Sequence, residues 1–274
     1  MKNTEEYNRQ QKTKTFPIHF KINGKTVTDK RAIANTFNNY VVNIGPTLAN
    51  DIPQSPTEPT SFIKQRTIHT LFLKPVIKEK VAMLVKSIKS SSPGWDYISP
   101  YIVKSTLSTF IGPLTHVLNL SITKGVFPNE LKIAKVLPFF KSSDNMLITN
   151  YRPISVLPIF SKILEKLMYT RLLEFINKHK ILYDYQFGFR KLHSTTMALM
   201  ILVDKITTAL DEGNSAIGIF LDFRKAFDTV DHNILFKKLE CYGVRGLSLS
   251  WFKSYLTNRK QFVNYDVSNP MQST

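Results

Sequence analysis

The sequence predicts an α/β protein of the α+β type, helices flanking an antiparallel sheet, and three observations predict it. Short β-prone apolar runs at 133–140 and 154–157 bracket a polar loop, the pattern of a hairpin. Apolar residues from Ile163 to Ile176 recur at helical spacing. The stretch 217–239 reads as a strand, a turn and a capped helix.

Residues 1–60 read as a flank. A polar start leads to an amphipathic stretch near Ile33 to Ile44, then to the proline-rich NDIPQSPTEPTS with Pro53, Pro56 and Pro59, a linker by composition. From Val76 to Val126 the pattern is helical in two pieces, split by SSSPGWDYISP, where Pro93, Gly94 and Pro100 enforce a loop. The second piece sets Val103, Leu107, Phe110 and Ile111 on one apolar stripe and Leu114, Val117 and Leu118 on another. In IAKVLPFFKSSDNMLITNYRPISVLPIF, the hairpin, the polar loop holds Lys141, Ser142, Ser143 and Asp144. A helix through Ile163, Leu164, Leu167, Met168, Leu172 and Ile176 follows. Beyond the GFR of Gly188 to Arg190 lies another helix, Thr195 to Leu210, ended by Gly213. Ile217, Ile219 and Leu221 predict a short buried strand that delivers Asp222 to its tip, before a turn and a helix capped by Asp231.

Charge narrows the function. Lys and Arg number 37 against 20 Asp and Glu, which leaves +17 at pH 7 and a pI near 9.8. Such an excess suits a polyanion, because cations that neutralise phosphates release condensed counterions; basic proteins also use charge simply to stay in solution. A single cysteine, Cys241, excludes a disulfide framework and a cysteine-rich zinc site and suits a reducing compartment. The N-terminus lacks the apolar core of a secretory signal, and MALMILV at Met197 to Val203 is too short to cross a bilayer. An intracellular protein without a membrane partner is expected.

An aspartate at a strand end is either a cap for the next turn or a functional carboxylate. Asp222, Asp228 and Asp231 crowd into ten residues of a basic chain, so an acidic pocket for a divalent cation is expected, with Mg²⁺ the natural candidate.

FLDFRKAFDTVDHNIL resembles the first catalytic motif of reverse transcriptases, in the version of jockey-type non-LTR retrotransposons, with its Asp, Ala-Phe-Asp, Val and His-x-x-Leu. AKVLPFFKSSDNMLITNYRPISVLPIFSKILEKL resembles the family's finger region, and QFGFRKLHSTTMAL the block between fingers and palm. SSPGWDYISP is similar to the extension before the fingers. The first three, in order, cover about Ile133 to Thr274. The resemblance implies a right-hand polymerase fold: a helical extension over 61–130, fingers over 131–215, and a partial palm with an incomplete sheet over 216–274. It implies RNA-directed DNA polymerase activity, a nucleotidyl transfer, on an RNA template, a DNA primer and dNTP. It further implies two Mg²⁺ ions in the complete enzyme and a place of work in the cytoplasm and nucleus.

The resemblance also implies roles. Asp222 matches the catalytic carboxylate that bridges both metal ions, and the Phe223 backbone carbonyl completes one metal shell. Phe227 matches the aromatic gate that fills the space of a ribose 2′-hydroxyl; its bland alternative is a core aromatic beside a strand. Lys141 and Arg152 match two basic positions that grip the incoming triphosphate, where Arg offers a forked donor and Lys a point charge. Gln186, Gly188 and Arg190 match positions against the template, although Arg190 reads equally as a solvated loop cation. Asp228 reads as structural, and His193 and His232 as satisfied polar histidines.

Two later motifs of the family, a Gly-rich loop of the Pro-Gln-Gly-Ser type and a hairpin with paired aspartates, do not occur in the sequence. NYDVSNPMQST resembles the text just before that loop. Without the paired aspartates Asp222 lacks its partners, so the polypeptide alone is expected to show no appreciable polymerase activity. The alternative is a basic RNA- or DNA-binding remnant without chemistry.

Overall fold

The computed structural model describes residues 17–22, 24–53, 55–63, 66–223 and 225–264. Two strands, β1 (Phe20–Ile22) and β2 (Lys25–Val27), pair antiparallel with Phe20 opposite Val27. Helix α1 (Lys30–Asn50) starts where the Asp29 carboxylate accepts a hydrogen bond from the Ala32 N–H at 2.7 Å. Its Ile33, Phe37 and Ile44 fall on one helical face and are buried.

Helix α2 (Lys78–Lys86) precedes the proline-glycine loop, and α3 (Pro100–Ser105) and α4 (Leu107–Lys124) follow it. The expected pieces form, with the second broken at Thr106. Leu114 and Leu118 are buried but Val117 is exposed, so α4 turns a narrower stripe inward than the sequence pattern suggested.

The hairpin forms as expected. Strand β3 (Ile133–Phe140) runs antiparallel to β4 (Tyr151–Val156), with Lys135 opposite Val156 and Phe140 opposite Tyr151. Ala134, Val136 and Pro138 alternate inward along β3, the period that buries one sheet face. The other edge of β3 takes β5 (Lys260–Val263) in parallel, giving the order β4-β3-β5. The sheet is therefore mixed, where an antiparallel one was expected. Parallel pairing demands a long crossover, and everything between β4 and β5 supplies it.

Helix α5 (Ile159–Lys178) carries Ile163, Leu164, Leu167 and Met168 into the main core. There they meet Val81, Leu118, Ile122, Phe127 and Trp251. Trp251 belongs to α8 (Leu247–Leu256), and its indole N–H donates to Ser121 Oγ at 3.0 Å. A second cluster joins Phe20, Ile33 and Phe37 to Ile148 and Tyr151 at the hairpin's end.

Helix α6 (Thr195–Asp211) buries none of its residues. Its end follows the expected glycine: at φ 75° Gly213 sends its N–H to Leu210 O at 3.0 Å, and Asn214 N–H reaches Ala209 O at 2.8 Å. Helix α7 (His232–Cys241) begins at Asp231, whose carboxylate accepts from Asn233 N–H and Ile234 N–H at 2.7 and 3.1 Å. The predicted strand at 217–221 does not form. Ile217 is 89% and Leu221 79% exposed, and no strand among the described residues lies alongside them. An apolar alternation becomes a strand only when a neighbour takes its N–H and C=O groups. The class is nonetheless α+β, mixed helices around small sheets.

Candidate functional site

The hairpin brings two of the predicted residues together. Arg152 lies opposite Phe139 in the register, and Lys141, two residues beyond Phe139, donates its backbone N–H to Asn150 O at 2.9 Å. Because side chains alternate along a strand, Lys141 and Arg152 share one face at the hairpin's loop end, and both are exposed. Nothing in that placement opposes a shared polyanionic partner.

The loop between them is braced from two sides. Asp144 Oδ1 accepts from Met146 N–H at 2.9 Å, its carbonyl accepts from the Asn150 amide at 2.8 Å, and the Tyr151 hydroxyl donates to Asn145 O at 2.7 Å. Strand β1 completes the brace: Lys21 N–H donates to Met146 O at 2.9 Å, and its ammonium stands 3.7 Å from Asp144. Beneath lie the rings of Phe20, Phe37, Phe140 and Tyr151, in centroid contact at 5.2 to 5.5 Å. Sequence reasoning left this brace unassigned, since strands of three residues carry little pattern.

At the foot of the hairpin, Glu165 accepts a hydrogen bond from the Tyr255 hydroxyl at 2.8 Å. Burial raises the Glu165 carboxyl above the usual range, a rise partly offset by that hydrogen bond and by Arg259. Lys132 is buried nearby, and burial first and Arg259 second hold its ammonium below the usual lysine range.

The loop with Gln186, Gly188 and Arg190 is held by the arginine. Arg190 Nη1 donates to Tyr183 O at 3.1 Å and to Gln186 O at 3.4 Å, while the Gln186 side-chain amide donates to Gly188 O at 3.3 Å. Arg190 is thus a loop-organising cation rather than a freely solvated one. His193 is satisfied through Nδ1, 3.1 Å from Lys191 O. His232 lies against Phe236 with ring centroids 6.2 Å apart.

Asp222 is exposed, as are Phe223 and Phe227, the latter at 81%. Phe227 is therefore no core aromatic; its ring meets Phe189 of the preceding loop edge-on at 6.0 Å. The following turn, closed by Asp228 N–H to Lys225 O at 2.8 Å, lies against α1, where a side chain at Gly45 would collide with Asp228 O. That contact fixes the backbone of the turn and leaves the role of the Asp228 carboxylate open to either reading. The expected acidic pocket is not assembled. Asp231 is committed to its helix cap, and among the described residues no group of three His, Cys, Asp or Glu stands at ion-binding spacing. Mg²⁺ keeps several waters and is held through one or two carboxylates plus substrate phosphates, so Asp222 and the Phe223 carbonyl would supply part of its shell, while the described residues alone enclose no ion site.

Among the described residues no helix is long and apolar enough to cross a membrane. Residues 141–272, which hold the two exposed cations of the hairpin and the carboxylate after the apolar run, match the reverse transcriptase (RNA-dependent DNA polymerase) family. Relatives narrow this further. The chain is 32% identical over 202 residues to the probable RNA-directed DNA polymerase from transposon BS of Drosophila melanogaster, covering 71% of this chain and 22% of that protein. It is 31% identical over 199 residues to the RNA-directed DNA polymerase from mobile element jockey of the same organism, covering 72% of this chain and 22% of that protein. Together these matches support a reverse transcriptase of the non-LTR retrotransposon kind. It spans about a fifth of the length of these relatives.

Proposed function

We propose that the chain forms the fingers, over 131–215, and the first part of the palm, over 216–274, of a right-hand polymerase that copies RNA into DNA. The observation that carries this is the placement of Lys141 and Arg152 on one exposed face of the hairpin, above a loop braced on two sides. A triphosphate is a dense polyanion, and charge-assisted hydrogen bonds to a guanidinium and an ammonium are its strongest protein contacts. Phe227, exposed and set against Phe189, supplies the ring that meets the deoxyribose. Gln186, Gly188 and Arg190 face the template. Residues 61–130 are the helical extension behind the fingers. Asp222 contributes one carboxylate to the divalent-metal site of the complete enzyme, and in the family such ions activate the primer hydroxyl and steady the leaving pyrophosphate.

Equilibrium titration of the purified chain with a deoxynucleoside triphosphate tests the reading. Each of Lys141→Ala and Arg152→Ala is expected to weaken binding about tenfold or more, the size of a lost charge-assisted hydrogen bond. Equal affinity in the wild type and both variants would falsify the triphosphate assignment. RNA binding that survives without any triphosphate binding favours the non-catalytic remnant.

A further inference from the structure

We propose that the loop 183–193 is a stacking platform for the unpaired bases of single-stranded nucleic acid, with its cations taking the phosphates. This rests on the placement of Gln186, Gly188 and Arg190 on the template side, and it adds base contacts from aromatic residues beyond that set.

Aromatic residues alternate along the loop as Tyr183, Tyr185, Phe187 and Phe189. Tyr183 is 71%, Tyr185 49% and Phe189 89% exposed. Large rings left in water forgo the free energy of burial, and a cluster of them marks a binding surface. Tyr183 and Tyr185 lie 5.5 Å apart with their planes tilted by 52°, and Lys205 of α6 sets its ammonium 5.0 Å from the Tyr185 ring centre. The backbone that carries the rings is also held. Arg190 ties down the carbonyls of Tyr183 and Gln186, and Phe189 and Leu192 take left-handed backbone angles of 60° and 64°. Bulky residues adopt that conformation rarely and at a cost.

Charge selects the occupant. Between positions 178 and 193 stand Lys178, Lys180, Arg190 and Lys191 against the single acid Asp184. The ion pairs among the described residues are Lys21 with Asp144 and Lys237 with Glu58, so these four cations lack an acidic partner in that set. A protein partner would have to bury those charges or bring acids to meet them. A single strand offers both halves at once, bases with apolar faces and a phosphate on every step, and stacking tolerates any sequence because every base has such a face.

Fluorescence anisotropy with a labelled oligouridine tests the platform on the purified chain. The double variant Tyr183→Leu, Tyr185→Leu is expected to bind at least about tenfold more weakly. Tyr183→Phe, Tyr185→Phe should hold affinity within about twofold, because a phenyl ring stacks as a phenol does. An abasic oligonucleotide of equal charge should bind the wild type as weakly as the leucine variant binds the uridine strand. These side chains are exposed, so the core is untouched. Equal binding of abasic and base-bearing strands, or undiminished affinity in the leucine variant, overturns the platform. So does a leucine variant that keeps its RNA affinity but changes oligomeric mass, which makes the face a protein interface. Base-dependent binding alongside triphosphate affinity indifferent to Lys141 and Arg152 sinks the polymerase reading and leaves the platform standing.

Discussion

The ring of Tyr151 stands edge-on to that of Phe37, with centroids 5.3 Å apart and planes at 85°. Phe37 belongs to α1 and Tyr151 opens β4, one residue before Arg152. A helix from the start of the chain therefore supports the strand that presents a proposed triphosphate ligand.

Phe37→Ala should cost about 3–5 kcal/mol, since it empties the centre of a buried aromatic cluster. Urea denaturation measures that loss. Hydrogen exchange at 141–150 should quicken in the same variant; unchanged exchange there would show that α1 packs on the hairpin without bracing its loop.

Ser121 joins two elements through one oxygen. It accepts from Trp251 Nε1 at 3.0 Å and donates to Val126 O at 2.6 Å. Ser121→Ala strands a buried indole N–H and is expected to cost about 1–3 kcal/mol. A thermal melt reads the stability loss, and a variant as stable as wild type would contradict the bond.

Glu165 gives the fold a pH dependence with a definite sign. Burial, the largest influence, raises its folded-state carboxyl value, while the Tyr255 hydrogen bond and Arg259 partly oppose that rise. The folded state thus holds its proton more firmly than the unfolded chain does. The contribution is fully present below the ordinary carboxyl range and is lost as pH climbs through the raised value. Stability should fall from mildly acidic toward neutral pH, and Glu165→Gln should flatten that slope in denaturation midpoints taken at several pH values. A slope identical in both proteins would place its origin elsewhere.

Gly45→Ala probes the seat of the turn after Asp222. The added methyl would collide with Asp228 O, so either α1 or the 225–229 turn must move. Overpacking of this kind costs about 1–3 kcal/mol. Faster exchange at the amides of Asp228 and Thr229, with the hairpin unchanged, is the expected pattern; a variant indistinguishable from wild type would mean that the contact is loose.

What the sequence disclosed follows the range of the interactions involved. The hairpin was readable because AKVLPFF alternates and its partner follows within one loop, and Asp231 and Gly213 were readable because capping is decided within a turn. Lys141 and Arg152 inherited their adjacency from that hairpin. By contrast, β5 has four residues and finds β3 from the far end of the chain, so no local pattern announces it. The brace around Phe20 and Phe37 is hidden for the same reason. The stretch 217–221 has the alternation of a strand, but pairing is decided by a neighbour. The three aspartates failed as a pocket because nearness in sequence did not place them together, and one was already spent on a helix.

The parallel seam between Ile133–Val136 and Lys260–Val263 has a consequence for synthesis. More than a hundred residues separate the two strands, and ribosomes add about 5–20 per second, so one edge of β3 waits on the order of ten seconds for its partner. During that interval the nascent hairpin shows bare backbone donors and acceptors to whatever else is being made nearby, which makes chaperone capture most valuable just before β5 emerges.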